Sequence, residues 1–427
     1  MPPSMMVSTT PTEFDLARFL RRGDRIVIGQ ACGEPTSLVE ALIQQGRAVG
    51  DLSAFIATSF SGLFTAASTQ GFALSSMGAI GALRELTRVN QLGVVPCHVS
   101  QIGPMITAGL IGCDAAFIQV SPPDADGNHS LGLISDHVEA AVDKARVVIA
   151  EVKDEAPFTC GRSLPASRID CAVAVSRPPV QVAPVVIGDT DVAIAAHAAA
   201  YIGDGAVIQT GVGAAPDALL RLLGDRRDLG VHSGMIGDGL VHLIEAGVVT
   251  NACKRIDTGV SICGALIGTR RLYDFAHRNP AIRMCAATYT HDAAVMARLD
   301  RLVTINTALE VDLTGQVNAE QSGATYLGGT GGQVDFVRAG ARSPGGRSII
   351  ALPATARSGA VSRIVDALSG PVTTARSDVD VIITEFGAAE LKGQLLPERA
   401  RRLVAIAHPD FRDDLDRAAW RIRQRGF

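Results

Sequence analysis

Short apolar stretches along the chain are each followed by a glycine turn and then by a helical pattern. The stretch at 23–28 leads to the glycine, glutamate and proline of 33–35, and the stretch at 203–208 leads to the glycine and proline of 213–216. Each is typical of a turn, a short buried strand, a glycine loop and a helix that opens near a proline. Strands that alternate with helices in this way predict an open α/β architecture with mainly parallel sheets.

Two further patterns recur in the same order in both halves of the chain. Apolar stretches at 117–120 and 302–306 each precede an Asp-x-x-Gly turn. The stretches at 147–152 and 381–386 align residue for residue without a gap, and each carries a glutamate near its end. All four predict buried strands, and the first two are followed by turns. The repeated order indicates a structural theme that is present twice.

The division between the two copies is predicted in the stretch 176–184, which contains three prolines. Because proline opposes both helix and central strand, this stretch is interpreted as a linker. The length of 427 residues also exceeds the size at which a single core usually divides. We therefore predict two similar open α/β domains with mainly parallel sheets, one at 1–185 and one at 186–427.

Composition narrows the class of protein. Hydrophobic residues make up 47% of the chain and aromatic residues only 4%, which suits sheets built from aliphatic side chains. A net charge of −4, without any run rich in lysine or arginine, argues against a nucleic-acid partner. Residues 1–6 lack the charged start of a secretion signal, and no apolar run of about 18 residues follows. We predict a cytoplasmic protein that does not interact with membranes.

The cysteines and histidines lack metal-binding spacing. The eight cysteines are scattered without a Cys-x-x-Cys pair, and the nine histidines form no His-Glu-x-x-His motif. We therefore predict no metal site.

A first candidate binding loop is formed by Gly211, Val212, Gly213, Ala214 and Ala215. The loop follows a predicted strand and opens a predicted helix, so its backbone N–H groups are able to face an anion or a developing oxyanion. A tight turn that needs glycine for its backbone conformation explains the same residues equally well. The dinucleotide-binding pattern Gly-x-Gly-x-x-Gly is absent here.

A second candidate loop, at 328–332, has glycine at four of its five positions, among them Gly331 and Gly332. Glycine costs conformational entropy, and close approach of the backbone to a ligand is one reason to accept that cost. A flexible hinge is the alternative. The loop lacks the lysine and Ser/Thr of a phosphate-binding P-loop, so ATP is not indicated.

The stretch 230–239 contains His232, Ser233, Gly234 and Asp238. A hydrolytic triad is not expected, because residues this close in sequence seldom reach triad geometry and the Gly-x-Ser-x-Gly pattern is absent. His232 is interpreted as a histidine of a site wall or of the core.

At this point the motifs support a resemblance. The chain resembles the acetyl-CoA hydrolase/transferase family, that is, class I CoA-transferases of the 4-hydroxybutyrate and butyryl-CoA:acetate type. The resemblance rests on residues 118–127, 148–152, 230–239, 305–317, 331–336 and 407–412.

The resemblance implies an acyl-CoA substrate and a homodimer or higher homo-oligomer. It also implies that the loop of Gly211, Val212, Gly213, Ala214 and Ala215 binds coenzyme A. Two further positions follow from it in the same way. Gly331 and Gly332 would lie near the thioester, and Asn306 would lie on a neighbouring strand.

One position departs from the family pattern. The family's motif carries a glutamate that forms a covalent thioester with CoA, and Gly234 stands at that place. Because covalent catalysis needs this side chain, the leading hypothesis is hydrolysis by water, at the thioester or at a ketone of a β-dicarbonyl acyl chain.

Two alternatives stay open at this stage. The first is CoA transfer through another carboxylate, for which Glu245, Glu151 and Glu385 are the candidates. The second is a non-catalytic acyl-CoA-binding protein.

Overall fold

A computed structural model describes residues 7–426, so the predicted lack of a secretion signal in residues 1–6 concerns positions outside the described residues. The strands of the described chain are β1 Val7–Thr9, β2 Arg25–Ile28, β3 Ser53–Phe55, β4 Ala73–Ser76, β5 Gly93–Val94, β6 Ala115–Val120, β7 Asn128–Ser130, β8 Val147–Lys153, β9 Ser163–Pro165, β10 Cys171–Val175, β11 Val207–Thr210, β12 Gly230–Val231, β13 Met235–Ile236, β14 Ser261–Cys263, β15 Ala265–Leu266, β16 Ile282–Met284, β17 Leu302–Thr307, β18 Glu310–Asp312, β19 Val317–Asn318, β20 Gln321–Ser322, β21 Thr325–Tyr326, β22 Arg347–Ala351, β23 Thr355–Ala356, β24 Val361–Ser362, β25 Ile364–Val365, β26 Val381–Thr384 and β27 Gly387–Glu390.

The helices of the described chain are α1 Thr36–Val49, α2 Arg84–Arg88, α3 Val99–Ala108, α4 Val138–Lys144, α5 Asp189–Ala199, α6 Ala214–Leu222, α7 Asp238–Glu245, α8 Arg270–Ala276, α9 Ala287–Thr290, α10 Ala293–Met296, α11 Gln333–Arg342, α12 Leu396–Ala405 and α13 Pro409–Arg425. Short 3-10 turns cover Leu16–Arg18, Ser68–Gly71 and Ala166–Arg168.

The first compact unit is built on a parallel sheet. Within the described residues its strand order is β1-β10-β8-β6-β2-β3-β4-β5, and every neighbouring pair is parallel. Ile28 of β2, Phe117 of β6 and Ile149 of β8 point to one side, where they pack with Leu38 and Leu42 of α1 in a single buried core. β6 and β8 are almost continuous runs of buried residues, as expected for a parallel sheet that helices cover.

The second compact unit has its own sheet and cores. In the described chain the order is β12-β11-β17-β22-β26-β27, parallel throughout except for the antiparallel pair β26 and β27. Val337 of α11, Ile350 of β22, Ile382 of β26 and Leu403 of α12 share one core. The predicted α/β class with mainly parallel sheets is thus confirmed.

The strands of the first two repeated patterns occupy equivalent places in the two sheets, whereas those of the third pattern, 147–152 and 381–386, do not. β2 and β6 are neighbours in the first sheet, and β11 and β17 are neighbours in the second. The third pattern differs, because β8 lies next to β6 whereas β22 separates β26 from β17. Buried parallel strands share an apolar pattern wherever they lie in a sheet, so the likeness of 147–152 to 381–386 did not specify equivalent places.

The first unit ends at Ala183, close to the predicted boundary, but it also includes 234–238 and 262–292. These later segments join it through backbone pairing. β13 pairs with β15, and Ala265 of β15 forms a bridge with Ile134. The compact units are therefore not contiguous in sequence, and the division into domains at 185/186 stays a prediction.

Among residues 7–426, no helix combines the length and the apolar character that a membrane crossing requires.

Candidate functional site

The predicted binding residues of the second unit lie along one edge of its sheet. β11 and β17 are parallel neighbours, so their carboxyl ends lie at the same edge. The first glycine loop continues from β11, and Asn306 is the penultimate residue of β17. The second glycine loop leads into α11, where Gln333 donates from Nε2 to the Thr307 carbonyl at 3.1 Å. The structure thus brings together two loops that are more than a hundred residues apart.

The first loop ends in an open helix N-terminus. Gly213 is the N-cap of α6 with φ +137°, a conformation that favours glycine. A Cβ added to Gly211 or Gly213 would meet no described atom within 4 Å outside the adjacent residues. Because the first N–H groups of a helix have no partner within the helix, those of Ala214 and Ala215 suit an anion. Val212 is half-buried beside them.

The glycines of the second loop have different structural reasons. A Cβ on Gly328 would lie only 2.3 Å from the Ala319 carbonyl oxygen, so close packing requires glycine there. Gly331 has φ +55°, and a Cβ on it would meet no described atom within 4 Å outside the adjacent residues. Gly332 is the N-cap of α11. The end of this loop therefore presents a second open helix start at the same edge.

Asn306 is oriented by a neighbouring strand. Its Nδ2 donates to Oε1 of Gln209 on β11 at 3.3 Å, and Gln209 is buried. This bond holds the amide of Asn306 at the sheet edge between the two loops. Its role toward a ligand stays a prediction.

His232 and Ser233 follow β12 and reach the same edge. The backbone N–H of His232 donates to the Ile208 carbonyl at 3.2 Å, and the His232 side chain is fully buried. The Ser233 hydroxyl donates to the Thr210 carbonyl at 3.0 Å. The Asp238 carboxylate accepts from the backbone N–H and the hydroxyl of Thr269, at 2.9 and 2.7 Å. The Ser233 hydroxyl and the Asp238 carboxylate thus have partners outside this group of three, and the expected absence of a triad stays a prediction.

Gly234 begins the segment that belongs to the first unit. Its carbonyl accepts from the Gly264 N–H at 3.1 Å, and the Gly264 carbonyl accepts from the Ser135 N–H at 2.9 Å. A Cβ on Gly264 would lie 3.1 Å from the Gly234 oxygen and 3.3 Å from the Asp136 Cβ. Gly264 therefore lets these backbone segments pack closely. Asp136 and the Gly234 carbonyl both lie next to it.

Asp136 is a buried carboxylate that the sequence did not single out. It is 6% exposed, accepts from Gln30 Nε2 at Oδ2, and has Oδ1 at 2.6 Å from His137 Nδ1. Burial raises the pKa of this carboxyl, but the charge of His137 and the hydrogen bonds from His137 and Gln30 outweigh burial, so the pKa lies below its ordinary value. The one sequence signal was a polar group, 135–137, that interrupts an apolar stretch.

The carboxylates considered as replacement nucleophiles have other environments. Glu151 is fully buried and accepts from the Ser37 N–H at 2.6 Å, and Glu385 accepts from the Ala354 N–H at 2.8 Å. Glu245 is exposed and is the last residue of α7, whose eight residues span about 12 Å. These contacts favour structural roles for Glu151 and Glu385.

No group of three or more His, Cys, Asp or Glu side chains is arranged to hold a metal ion within the part of the chain that the structure describes.

Comparison with solved structures defines the class of protein. RipA from Yersinia pestis superposes with a TM-score of 0.92 at 34% sequence identity, covering 98% of each chain. A 4-hydroxybutyrate CoA-transferase from Porphyromonas gingivalis superposes with a TM-score of 0.82 at 32% identity, again covering 98% of each chain. The fold is that of the CoA-transferase family.

Two family models match most of the chain. The acetyl-CoA hydrolase/transferase N-terminal domain matches residues 9–184, and the acetyl-CoA hydrolase/transferase C-terminal domain matches residues 268–419. The 4-hydroxybutyrate coenzyme A transferase of Clostridium kluyveri is 39% identical over 396 residues, or 92% of either chain. The chain belongs to the acetyl-CoA hydrolase/transferase family. It is therefore an enzyme with CoA-transferase or acetyl-CoA hydrolase activity, in a family whose substrates are CoA thioesters.

Proposed function

We propose that this enzyme hydrolyses an acyl-CoA, with water attacking the carbonyl in place of a protein carboxylate. The observation that carries the proposal is Gly234, which offers no side chain at the position where the resemblance expects the nucleophilic glutamate. A covalent nucleophile divides one difficult displacement into two easier ones. Without it, water is the nucleophile that needs no second binding site.

Coenzyme A would be held mainly by backbone groups of the second unit. Two helix starts, at Ala214 and Gln333, lie at one sheet edge and have glycine immediately before them. Helix N-termini stabilise phosphate and a developing oxyanion without any cluster of lysine or arginine. Asn306 adds an amide at the same edge. This arrangement supports binding of the coenzyme A part of the substrate by Gly211, Gly213 and their neighbours.

The attacked carbonyl defines two forms of the reaction. Attack at the thioester releases free CoA and a carboxylic acid, whereas attack at a ketone of a β-dicarbonyl chain cleaves a carbon–carbon bond and leaves a shorter acyl-CoA. Both consume one water and place its oxygen in a product carboxylate. An acyl-CoA panel in H₂¹⁸O, with thiol detection and mass spectrometry, separates these two forms.

The decisive experiment adds acetate to the same incubation. With ¹³C-labelled acetate, we expect ¹⁸O in the product carboxylate and no ¹³C-labelled acetyl-CoA. Acid without ¹⁸O together with ¹³C-labelled acetyl-CoA would contradict hydrolysis and establish transfer.

A matched pair of variants tests the position itself. Gly234→Glu is expected to introduce transfer to acetate and a hydroxylamine-sensitive adduct, because it supplies a carboxylate nucleophile. Gly234→Ala is the control, since it adds bulk without a nucleophile. Equal transfer by both variants would show that the side chain at this position does not decide the reaction.

CoA transfer is the second candidate, favoured by the 39% identity to a 4-hydroxybutyrate coenzyme A transferase. In this case another carboxylate carries the acyl group or CoA. Borohydride treatment after exposure to acyl-CoA, followed by peptide mass spectrometry, would then locate one modified carboxylate such as Glu245. A fully active enzyme without any adduct excludes that route.

A further inference from the structure

The first unit contains a buried carboxylate beside the segment that begins at Gly234. Asp136 and the Gly234 carbonyl both lie within 3.4 Å of the point where a Cβ on Gly264 would be. All three residues belong to the same compact unit. Gly264 is conformationally ordinary, since its φ lies outside the left-handed region, so backbone conformation does not require glycine there. Glycine fits there because a side chain would crowd Asp136 and the Gly234 carbonyl.

Asp136 is held in place by two side chains from separate elements. Gln30 donates to Oδ2 from the loop after β2, and His137, the N-cap of α4, contacts Oδ1 through its backbone N–H and Nδ1. Within the described structure Oδ2 accepts from Gln30 alone, and a carboxylate oxygen has two acceptor sites. One further hydrogen bond, such as that from a water molecule, is therefore possible at Oδ2.

The charges that act on Asp136 favour its ionised form. His137 lowers the pKa of Asp136, and Gln30 does so through its hydrogen bond. Glu139 in the first turn of α4 also interacts with Asp136: burial raises the pKa of Glu139, and the charge of Asp136 acts in the same direction. Asp136 is thus ionised at neutral pH, which is the form that a general base must have before it takes a proton from water.

We infer that Asp136 is the general base of the proposed hydrolysis, so this inference rests on the proposed function. Asp136 takes a proton from water as the water oxygen bonds to the acyl carbon next to Gly234. The resulting tetrahedral oxyanion collapses, the C–S bond breaks, and the proton on Asp136 passes to the CoA thiolate. Acyl-CoA and one water give one carboxylic acid and one free thiol, with no other reactant.

Asp136→Asn tests this role. The amide keeps the size of the side chain but cannot accept the proton. We expect kcat for hydrolysis to fall on the order of 10²- to 10⁴-fold, with KM within about threefold. The control is Asp143→Asn on α4, because Asp143 pairs with Arg162 at the surface. Asp143→Asn should keep kcat within about twofold.

Gln30→Met provides a second test, which does not remove the carboxylate. Losing this donor removes one cause of the lowered pKa of Asp136, so the acid limb of kcat should move to higher pH. If Gln30 and Asp136 had only structural roles, Gln30→Met would lower the amount of folded protein without moving the acid limb of the pH–kcat profile. Circular dichroism and thermal unfolding, measured on every variant, separate folding from catalysis.

The outcomes distinguish the two ideas. Hydrolysis with ¹⁸O incorporation in the wild type and its loss in Asp136→Asn support the inference. Hydrolysis that persists in Asp136→Asn, or an acid limb that stays in place in Gln30→Met, overturns the role of Asp136 alone. Transfer without label in the wild type overturns the proposed function, and the role of Asp136 with it.

Discussion

Glu34 is a carboxylate without exposed surface that lies on the loop after β2. Ser59 and Ser61 donate to it from their hydroxyls at 2.8 and 2.5 Å. Burial raises its pKa and exceeds the opposing effects of the two serines and of Lys153. A carboxyl whose folded pKa is raised adds stability below its ordinary pKa, and this contribution is lost as pH rises through the folded pKa.

Glu34→Gln should therefore reduce the dependence of stability on pH. We expect the free energy of unfolding to fall less between about pH 5 and about pH 8 than in the wild type. Urea denaturation at both pH values measures it. Glu40→Gln, at the exposed pair with Arg177, is the control. Parallel pH profiles for Glu34→Gln and the wild type would contradict the prediction.

Lys254 holds the strand end that precedes His232. Its Nζ donates to the carbonyls of Val231 and Val260 at 2.9 and 2.7 Å, and the side chain is 3% exposed. Lys254→Met leaves two acceptors without this donor, so we expect a loss of about 2–4 kcal/mol in unfolding free energy. Lys144→Met, at a surface lysine that donates to Thr107, should cost less than about 1 kcal/mol. Similar losses in both variants would argue against a special role for Lys254.

Among the elements, α1 begins in an unusual way, because its cap comes from a strand. The N-cap Pro35 makes no side-chain capping bond, and Glu151 of β8 accepts from the N–H groups of Ser37 and Leu38. Glu151 also pairs with Lys153 at 3.0 Å, and both side chains are fully buried. A candidate nucleophile of the sequence is thus a helix cap and one half of a buried ion pair.

Removing one charge of this pair should be costly. Glu151→Gln leaves the Lys153 charge buried without its counter-charge, so we expect a loss of about 3–5 kcal/mol in unfolding free energy. The double variant Glu151→Gln, Lys153→Met should recover most of the loss, because it removes both charges. Chemical denaturation of the single and double variants measures the coupling. Additive losses would show that the pair contributes no coupling energy.

Segments of the two compact units alternate along the chain. Residues 131–136 of the first unit depend on later residues, since Leu266 donates its N–H to the Leu133 carbonyl and the Gly264 carbonyl accepts from Ser135. A fragment of residues 1–185 lacks these partners. We expect it to have no cooperative thermal transition, because buried backbone groups would lose their hydrogen bonds. A sharp transition in the isolated fragment would instead show that the first 185 residues are an autonomous domain.

The site shows where sequence-based prediction ended. The glycine loops and the position of Gly234 could be identified from the sequence because each is defined by consecutive residues. Asp136 was not recognised as a candidate, since its partner Gln30 lies 106 residues away and its neighbour Gly264 lies further along the chain. The role of Glu151 as a helix cap was not evident for the same reason, because its two N–H donors belong to α1.

Local patterns alone were sufficient for the alternation of strands and helices, the α/β class, the two glycine loops and the family. Strand periodicity and turn residues act between near neighbours, so they are present in the linear chain. Tertiary structure decided the place of β26 in its sheet, the return of 234–238 and 262–292 to the first unit, and the position of Asp136 near Gly234. These depend on pairing and burial between distant residues, which no single stretch of sequence contains.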